Sequence, residues 1–430
     1  MLLLPFAEDM RVLYDISTLG LAHLYRQSRG GSYRAELHVA EGLAASTGCD
    51  LLFCANHSTV AFHGCEAFLR DHPRLGQVPL VAAHSAPGVP LLRAAASRIH
   101  RSVRRIIGSN VLPAAVRGAA AIVDRRVHPP VSTVPGADIL HTPSTPLPPA
   151  RRGRTPRRFL TIYDLSYVRF PHIYGSPYER STLAALRSVE LDDRVITAST
   201  FVRDELCERG VTSRDRIHVV PLAAHSALFH ECTTDAVAPV RARYAIPDGP
   251  YVLSVNSPDP RKNIPLAIHA FARAAREDGP ALGSLVLAGN AGPGLDRIRA
   301  AIAEHADLGR RVILTGYVRD EDLAPLYTGA LFFVYPSRYE GFGLPPLEAM
   351  QCGTPVVTSN TSSLPEVVGD GGVMLPPDDV DALAGVMLDL ARCAERRGGL
   401  RRRALARARM FSWDRSTAAT LQAYASALEE

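Results

Sequence analysis

The sequence predicts an α/β protein made of two doubly wound parallel sheets, in Rossmann-like domains that face each other across a cleft. Its 430 residues exceed the roughly 250 to 300 at which a single hydrophobic core stops growing. Short runs of valine, isoleucine and leucine alternate with segments of helical spacing, which is typical of strands covered by helices on both faces. A polar interval with helix breakers, residues 223–250, separates two sets of such runs. These three observations favour two domains in tandem.

Each apolar run is a predicted strand. The first set comprises residues 12–16, 51–54, 79–82, 138–141, 159–163, 195–198 and 217–220, and the second comprises 251–255, 284–288, 311–314, 331–335, 355–358 and 373–375. We expect a first domain at residues 1–235, a second at 236–410 and a final segment at 411–430. Ligands of such sheets bind beyond the carboxyl ends of the strands, so we expect the site in the cleft.

Composition excludes several classes of protein. A hydrophobic fraction of 47% and a charged fraction of 21% are those of an ordinary globular chain rather than a disordered one. The N-terminal apolar run has no basic residue before it, unlike a secretory signal, and no apolar stretch reaches the roughly 18 residues of a membrane span. Seven scattered cysteines without a Cys-x-x-Cys spacing fit a reducing compartment and argue against structural zinc. We therefore expect a cytoplasmic protein.

The first half has an excess of positive charge. Between His84 and Ala150 there are eight arginines and two acidic residues, which suits an anionic partner. Residues 91–107 combine an apolar helical stripe with arginines elsewhere around the helix. Such a segment lies on an anionic membrane surface, near a lipid-linked acceptor, or packs as a solvated helix on its own sheet, and both interpretations stay open. No nucleic-acid reader motif accompanies the charge, so no nucleic-acid partner is expected.

The only lysine of the chain, Lys262, lies in the segment PDPRKN directly after the predicted strand 251–255. This position is the ligand edge of the second sheet. Arg261 precedes it, and a neighbouring guanidinium and ammonium can together hold a diphosphate. A solvated pair at the start of a helix is the plainer alternative.

Two glutamates flank a glycine-containing loop in the segment YEGFGLPPLEAMQCG. Glu340 precedes the loop, and Glu348 lies in the first turns of a helix that Pro345 and Pro346 can open. Glycines and a helix start offer free amide donors for an anion. Carboxylates beside such a cradle are expected to bind hydroxyl groups, as a sugar and a ribose would provide.

The segments PDPRKN, GYVRDEDL, PSRYEGFGLPPLEAMQCGTPVV and SSLPEVVGDGG resemble glycosyltransferase family 4, also called glycosyl transferases group 1. The likeness is weaker in TIYDLSYVRFP and other first-half segments. It implies the GT-B fold, with the C-terminal helix crossing back to the first domain. It also implies retaining transfer of a sugar from a nucleotide-diphosphate sugar to a saccharide or lipid-linked acceptor, in bacterial polysaccharide or glycolipid synthesis.

The resemblance also implies roles for individual residues. Arg261 and Lys262 would bind the donor diphosphate, Glu340 the donor sugar and Glu348 the ribose hydroxyls, while main-chain groups near Tyr317 and Val318 would meet the base. The remaining donor-binding positions would be Ser257, Gly341, Phe342, Gly343 and Leu344. On the acceptor side the corresponding positions are Gly30, Gly31, Arg34, His141 and Asp164. Catalysis would rest on Arg261, Lys262, Glu340 and Tyr163.

One position departs from the family. Tyr163 stands in TIYDL where the family commonly has histidine, and a phenol with an ordinary pKa near 10 is a poor general base at neutral pH. A changed donor sugar, another group such as His141 or His23, or weakened activity in a subunit that supports a partner transferase would each explain the change. A pyridoxal-phosphate phosphorylase of similar architecture is a further alternative for the lone lysine.

Metal binding is not expected. Asp320-Glu-Asp322 and Asp379-Val-Asp381 match the Asp-x-Asp pattern of metal-dependent transferases, but both precede predicted helices, where capping explains them. Because Arg261 and Lys262 would neutralise the diphosphate, neither a divalent ion nor another cofactor is required.

Overall fold

The computed structural model describes residues 10–25, 30–55, 59–81, 136–149, 156–290, 292 and 294–430. The basic segment at residues 91–107 lies outside these ranges. Within them the chain forms a seven-stranded sheet followed by a six-stranded sheet. No helix in the described ranges has the length and apolar character needed to cross a bilayer.

The first sheet is parallel throughout, with strand order β3-β2-β1-β4-β5-β6-β7. Its strands are β1 (Arg11–Asp15), β2 (Asp50–Cys54), β3 (Leu80–Val81), β4 (Ile139–Pro143), β5 (Arg157–Thr161), β6 (Arg194–Thr197) and β7 (Ile217–Val219). The accompanying helices are α1 (Ser17–Tyr25), α2 (Gly31–Ala45), α3 (Thr59–Asp71), α4 (Ser166–Arg169), α5 (Pro171–Tyr174), α6 (Ser176–Arg187) and α7 (Thr200–Glu208).

The second sheet is also parallel, with strand order β10-β9-β8-β11-β12-β13. Its strands are β8 (Tyr251–Val255), β9 (Ser284–Ala288), β10 (Val312–Gly316), β11 (Phe332–Tyr335), β12 (Val356–Ser359) and β13 (Gly372–Leu375). Its helices are α8 (Thr234–Arg243), α9 (Ile264–Leu282), α10 (Leu295–Ala303), α11 (Asp320–Gly329), α12 (Leu344–Gln351), α13 (Leu364–Val368), α14 (Val380–Arg392) and α15 (Ala394–Ala408).

The predicted fold class is confirmed. Every predicted apolar run coincides with an observed strand, because strands buried on both faces carry a continuous apolar signal. The polar interval at residues 223–250, expected to be a linker between the domains, contains a helix, since α8 begins at Thr234 and continues through Pro239. Val237 and Val240 are buried there, so packing outweighs the helix-breaking tendency of the proline.

The last helix, α16 (Trp413–Glu429), crosses back from the second domain and packs against α2 of the first. Leu421, Tyr424 and Ala427 belong to the apolar core of the first sheet. A separate core cluster joins Ala35 and Ala198 of the first domain to Phe342 and Leu344 of the second. The two domains are therefore in direct contact along the cleft, as the GT-B expectation requires.

Candidate active site

A single tight turn after β8 positions the paired cations. Residues Pro260–Lys262 form one turn of 3-10 helix, and the carboxylate of Asp259 accepts the amide of Arg261 at its start. Asn263 ends the turn in the left-handed conformation (φ 56°), which asparagine tolerates better than most residues. Its side-chain amide donates to the carbonyl of Pro377 at 2.6 Å. Asp259 thus begins the turn and Asn263 ends it, and between them the side chain of Lys262 is buried.

Lys262 and Glu340 form a buried ion pair. The ammonium lies 2.6 Å from Glu340 Oε1 and 2.8 Å from the Tyr335 hydroxyl, and both charged residues are less than 10% exposed. Burial lowers the pKa of Lys262, and Glu340 opposes that shift only in part. Burial pushes the pKa of Glu340 upward, but Lys262 and Arg261 outweigh it, so the net shift is downward. The two residues predicted to share the donor site are therefore in contact.

Arg261 is surrounded by carboxylates. Its guanidinium donates to Asp259 Oδ2 at 3.0 Å and to the Tyr339 carbonyl at 3.2 Å. Asp164 lies 3.8 Å away and Glu340 4.0 Å away. With Lys262 the cluster contains two cations and three carboxylates. Asp259 was not singled out from the sequence, although it stands two residues before Arg261 in the same motif.

The loop between Glu340 and α12 lies against the first domain. A Cβ added to Gly341 would lie 2.1 Å from the Tyr163 carbonyl oxygen, and Gly343 adopts a φ of 112° at the start of α12. Hydroxyls of Ser199 and Ser363 donate to the carbonyls of Gly341 and Phe342. Pro345 and Pro346 have no N–H group, so the candidate backbone donors for an anion are the amides of residues 341–344, at the start of α12.

Glu348, the predicted ribose ligand, already has protein partners. Arg34 of the first domain approaches Glu348 Oε1 at 3.1 Å and Asp320 Oδ1 at 2.6 Å, while the Tyr327 hydroxyl donates to Glu348 Oε2 at 3.1 Å. Burial raises the pKa of Glu348, and Arg34 limits that rise. Arg34 was predicted to lie on the acceptor side of the first domain. In the structure its side chain crosses the cleft and pairs with two carboxylates of the second domain.

The first domain presents Tyr163 and Asp164 to the cleft at the end of β5. Tyr163 is partly buried, and burial followed by the charge of Glu36 raises the pKa of its hydroxyl well above the ordinary value. Tyr163 is thus a hydrogen-bond donor and not a base at neutral pH. Gly31 lies beside Leu344 of the second domain, because a Cβ added to Gly31 would be 3.5 Å from Leu344 Cδ1. Gly30 is exposed, and a Cβ added there would meet no atom within 4 Å.

His141 does not reach the cleft, and its predicted acceptor-side role is wrong. It is 1% exposed, and its ring nitrogens contact the Tyr424 hydroxyl at 2.5 Å and Thr161 Oγ1 at 2.6 Å. Burial lowers its pKa to about 3, so the ring stays neutral. The physical reason is that side chains alternate between the two faces of a strand, and His141 on the central strand β4 lies on the face covered by α16. His23 pairs with Asp71 at 3.1 Å, and its ring meets the ring of Phe68 edge-on.

Several other positions were named from the sequence. Ser257 is exposed in the loop after β8, Val318 is buried, and Tyr317 is 60% exposed after β10.

Asp379 caps α14 through the amide of Ala382 at 2.8 Å, as predicted. Asp320 and Asp322 lie in the first turn of α11 rather than at its N-cap. From this turn Asp320 pairs with Arg34, and Asp322 pairs with Arg243. Among the described residues no group of three or more His, Cys, Asp or Glu is arranged to hold a metal ion.

Comparison with known proteins identifies the family. The family described as "Glycosyl transferases group 1" matches residues 239–407, which contain the lysine turn, both glutamates and α12. The O-antigen chain mannosyltransferase B of Escherichia coli is 36% identical over 290 residues, covering 66% of this chain and 74% of that protein. The chain belongs to the glycosyl transferases group 1 family.

Two other mannosyltransferases are similar over shorter stretches. The serotype-specific mannosyltransferase WbdA of Escherichia coli is 34% identical over 231 residues, which is 53% of this chain and 28% of that longer protein. The MMP alpha-(1->4)-mannosyltransferase of Mycolicibacterium hassiacum is 33% identical over 257 residues, or 56% of this chain and 57% of that protein. The chain is thus an enzyme of the glycosyltransferase class.

Solved structures share the fold at low sequence identity. Sucrose-phosphate synthase from Thermosynechococcus elongatus superposes with a TM-score of 0.65 at 20% identity, covering 96% of this chain and 98% of that chain. Anabaena HepE in complex with UDP gives a TM-score of 0.62 at 16% identity, with coverages of 96% and 99%. The GT-B arrangement of a group 1 glycosyltransferase therefore extends over nearly the whole chain.

Proposed function

We propose that this glycosyltransferase transfers mannose from a nucleotide-diphosphate sugar to a saccharide or lipid-linked acceptor, with retention of the anomeric configuration, in bacterial polysaccharide or glycolipid synthesis. The observation that carries the proposal is the convergence of Lys262, Arg261 and Glu340 beside the amides that precede α12. Mannose is proposed because the curated relatives named above are mannosyltransferases.

The charge balance indicates how the site would work. The carboxylates of Glu340, Asp259 and Asp164 balance the charge of the two cations. A bound diphosphate would take over the cations, which releases the Glu340 carboxylate to accept hydrogen bonds from the donor sugar. As the anomeric C–O bond breaks, negative charge grows on the leaving diphosphate, and preorganised cations and amides stabilise it there. Because this charge compensation comes from side chains and the backbone, the proposal includes no metal and no other cofactor.

The other donor groups follow from the same geometry. We propose that Glu348 binds the ribose hydroxyls, which requires that its contact with Arg34 loosens or is shared when the donor enters. Ser257, Tyr317 and Val318 would line the nucleotide end, and Tyr163 would donate a hydrogen bond to the sugar. Gly30, Gly31 and Asp164 remain acceptor-side proposals. Contact of residues 91–107 with an anionic membrane, at the cytoplasmic face, stays a prediction.

The test is release of nucleoside diphosphate by purified protein supplied with an α-linked mannose oligosaccharide as acceptor and, in turn, GDP-mannose, UDP-glucose and a panel of other sugar nucleotides. Lys262→Ala should lower turnover by about 10² to 10³, the usual cost of one donor to developing charge. Lys262→Arg keeps the charge and should recover part of the loss. Arg273→Ala is the matched control, because it removes one exposed cation paired with Asp381. If no sugar nucleotide binds, or if Lys262→Ala turns over normally, the proposal fails.

A further inference from the structure

Three tyrosines of the first domain form a cluster at the edge of the cleft. Tyr167 of α4 stacks on Tyr178 of α6, with 5.2 Å between ring centroids and 24° between ring planes, and meets Tyr174 of α5 edge-on at 4.7 Å. Tyr178 is 53% exposed and Tyr167 is 37% exposed. Single exposed aromatic residues are ordinary, whereas Tyr167 and Tyr178 stack on each other and both remain partly open to solvent.

The cluster is fixed to the diphosphate-binding cations. The Tyr174 hydroxyl donates a hydrogen bond to Asp259, the carboxylate that also holds Arg261. The Arg261 guanidinium lies 5.9 Å from the centre of the Tyr174 ring. Arg261 and the rings of Tyr174, Tyr167 and Tyr178 therefore follow one another in steps of 5.9, 4.7 and 5.2 Å. A few linked sugar residues span such a path.

Asp164 connects the same cluster to the reacting centre. It stands two residues before Ser166, the first residue of α4, and its carboxylate accepts hydrogen bonds from the amide and hydroxyl of Ser166. Its other carboxylate oxygen lies 3.8 Å from Arg261. This arrangement fixes the position of Tyr167 relative to the proposed leaving group. An acceptor that enters from the first domain would consequently pass the exposed tyrosines before its hydroxyl reaches the donor sugar.

The chemistry of the patch suits a saccharide better than a lipid. The face of a pyranose that carries C–H groups packs on an aromatic ring, while its hydroxyls bond to polar groups around the ring, and tyrosine offers both surfaces at little cost in side-chain freedom. The exposed side of α6 also carries Arg180 next to the partly exposed Glu179. A helix that rests on a membrane would present a broad apolar face there instead.

We propose that Tyr178 and Tyr167 form a stacking platform for an inner sugar residue of the acceptor, so that the acceptor is an oligosaccharide chain and not a single sugar. This inference rests on the proposed function for the location of the reacting hydroxyl. Tyr174 positions the platform through Asp259, while the exposed rings make the contact.

The test measures acceptor binding directly, without turnover. Saturation-transfer NMR and calorimetry would compare α-linked mannotetraose with methyl α-mannoside for the wild-type protein, Tyr178→Ala and Tyr178→Phe. Tyr178→Ala should weaken mannotetraose binding by at least about fivefold, and Tyr178→Phe, which keeps the ring, should stay within about twofold. Affinity for methyl α-mannoside and for the sugar nucleotide should not change. Leu191→Ala is the control, because Leu191 is 85% exposed in the same domain.

The outcomes separate the two proposals. Unchanged mannotetraose affinity in Tyr178→Ala, an equal loss in Tyr178→Phe, or no oligosaccharide binding by the wild-type protein would each overturn the platform. Binding to phosphatidylglycerol vesicles is measured in parallel. If Tyr178→Ala weakens vesicle binding but leaves mannotetraose binding unchanged, the patch is a membrane contact and the platform is refuted. If no sugar nucleotide binds but mannotetraose binding still depends on Tyr178, the proposed function fails and the platform stands.

Discussion

Gly341 offers a sharp test of the closed arrangement of the two domains. A methyl group at this position would lie 2.1 Å from the Tyr163 carbonyl oxygen and 2.6 Å from Asp164 Cβ, whereas ordinary contacts begin at 3.4 Å. All of these clashing atoms belong to the first domain. The substitution Gly341→Ala should therefore leave the second domain folded but prevent the loop before α12 from reaching its partner.

The size of the effect follows from the overlap. Relief of the clash requires the facing backbones to separate by about 1 Å, and such overpacking typically costs about 1 to 3 kcal/mol. If only the closed form is active, turnover should fall about 5- to 150-fold, since about 1.4 kcal/mol corresponds to a factor of ten. Steady-state release of nucleoside diphosphate measures this loss, and differential scanning fluorimetry shows whether the protein still folds.

Gly385→Ala provides the matched control. Gly385 lies in α14, and an added Cβ there has no neighbour within 4 Å, so activity should persist. Small-angle scattering would report a more open particle for Gly341→Ala alone. Wild-type turnover and an unchanged scattering profile in Gly341→Ala would show that close approach of Gly341 to Tyr163 is unnecessary.

Three further predictions concern pH, closure and stability. In donor titrations by calorimetry, affinity should fall toward acid as Glu348 protonates, at higher pH than for an ordinary glutamate because burial raises its pKa. Affinity should also fall toward alkali as Lys262 loses its proton, earlier than for an ordinary lysine because burial lowers its pKa. Glu348→Gln should abolish the decrease of donor affinity at acid pH, and Lys262→Arg should shift the decrease at alkaline pH to higher pH. Glu366 accepts hydrogen bonds from the first two amides of α7 at 2.7 and 2.8 Å across the cleft. Glu366→Ala should therefore reduce the free energy that holds the two domains together by about 0.5 to 2 kcal/mol. This loss should appear as lower turnover with unchanged donor affinity. Asp193→Ala leaves the buried Arg158 without its bidentate partner and should cost about 3 to 5 kcal/mol of stability in denaturant unfolding, whereas loss of the exposed pair Arg11–Asp50 should cost less than about 1 kcal/mol.

The candidate site could be predicted where its parts lie in continuous motifs. PDPRKN specifies its own turn through an aspartate cap, a proline and an asparagine that tolerates positive φ, and this turn brings Lys262 to Glu340. The partners of those residues were missed when they lie far away in the chain. Tyr335 and Tyr327 occur in ordinary apolar segments, and nothing local distinguishes a core tyrosine from one that hydrogen-bonds to a buried glutamate.

Contacts across the cleft were the least predictable part. Arg34 is 314 residues away from Glu348, and His141 is 283 residues away from Tyr424. Which face of β4 turns toward α16 depends on sheet twist and helix packing, so the sequence pattern did not reveal that His141 is enclosed. The segment around Pro239 shows the same effect, because burial of Val237 and Val240 sustains a helix that local propensity disfavours.

The sequence by itself determined the two parallel sheets, the family and the loops that hold the proposed donor site, because burial on both faces and tight turns are encoded in neighbouring residues. Only the tertiary structure decided that Lys262 is paired with Glu340, that Arg34 reaches Glu348 across the cleft, and that the stacked rings of Tyr167 and Tyr178 are exposed. The physical reason is that charge pairing, burial and pKa depend on distances between atoms far apart in the chain, which the packing of the two domains fixes.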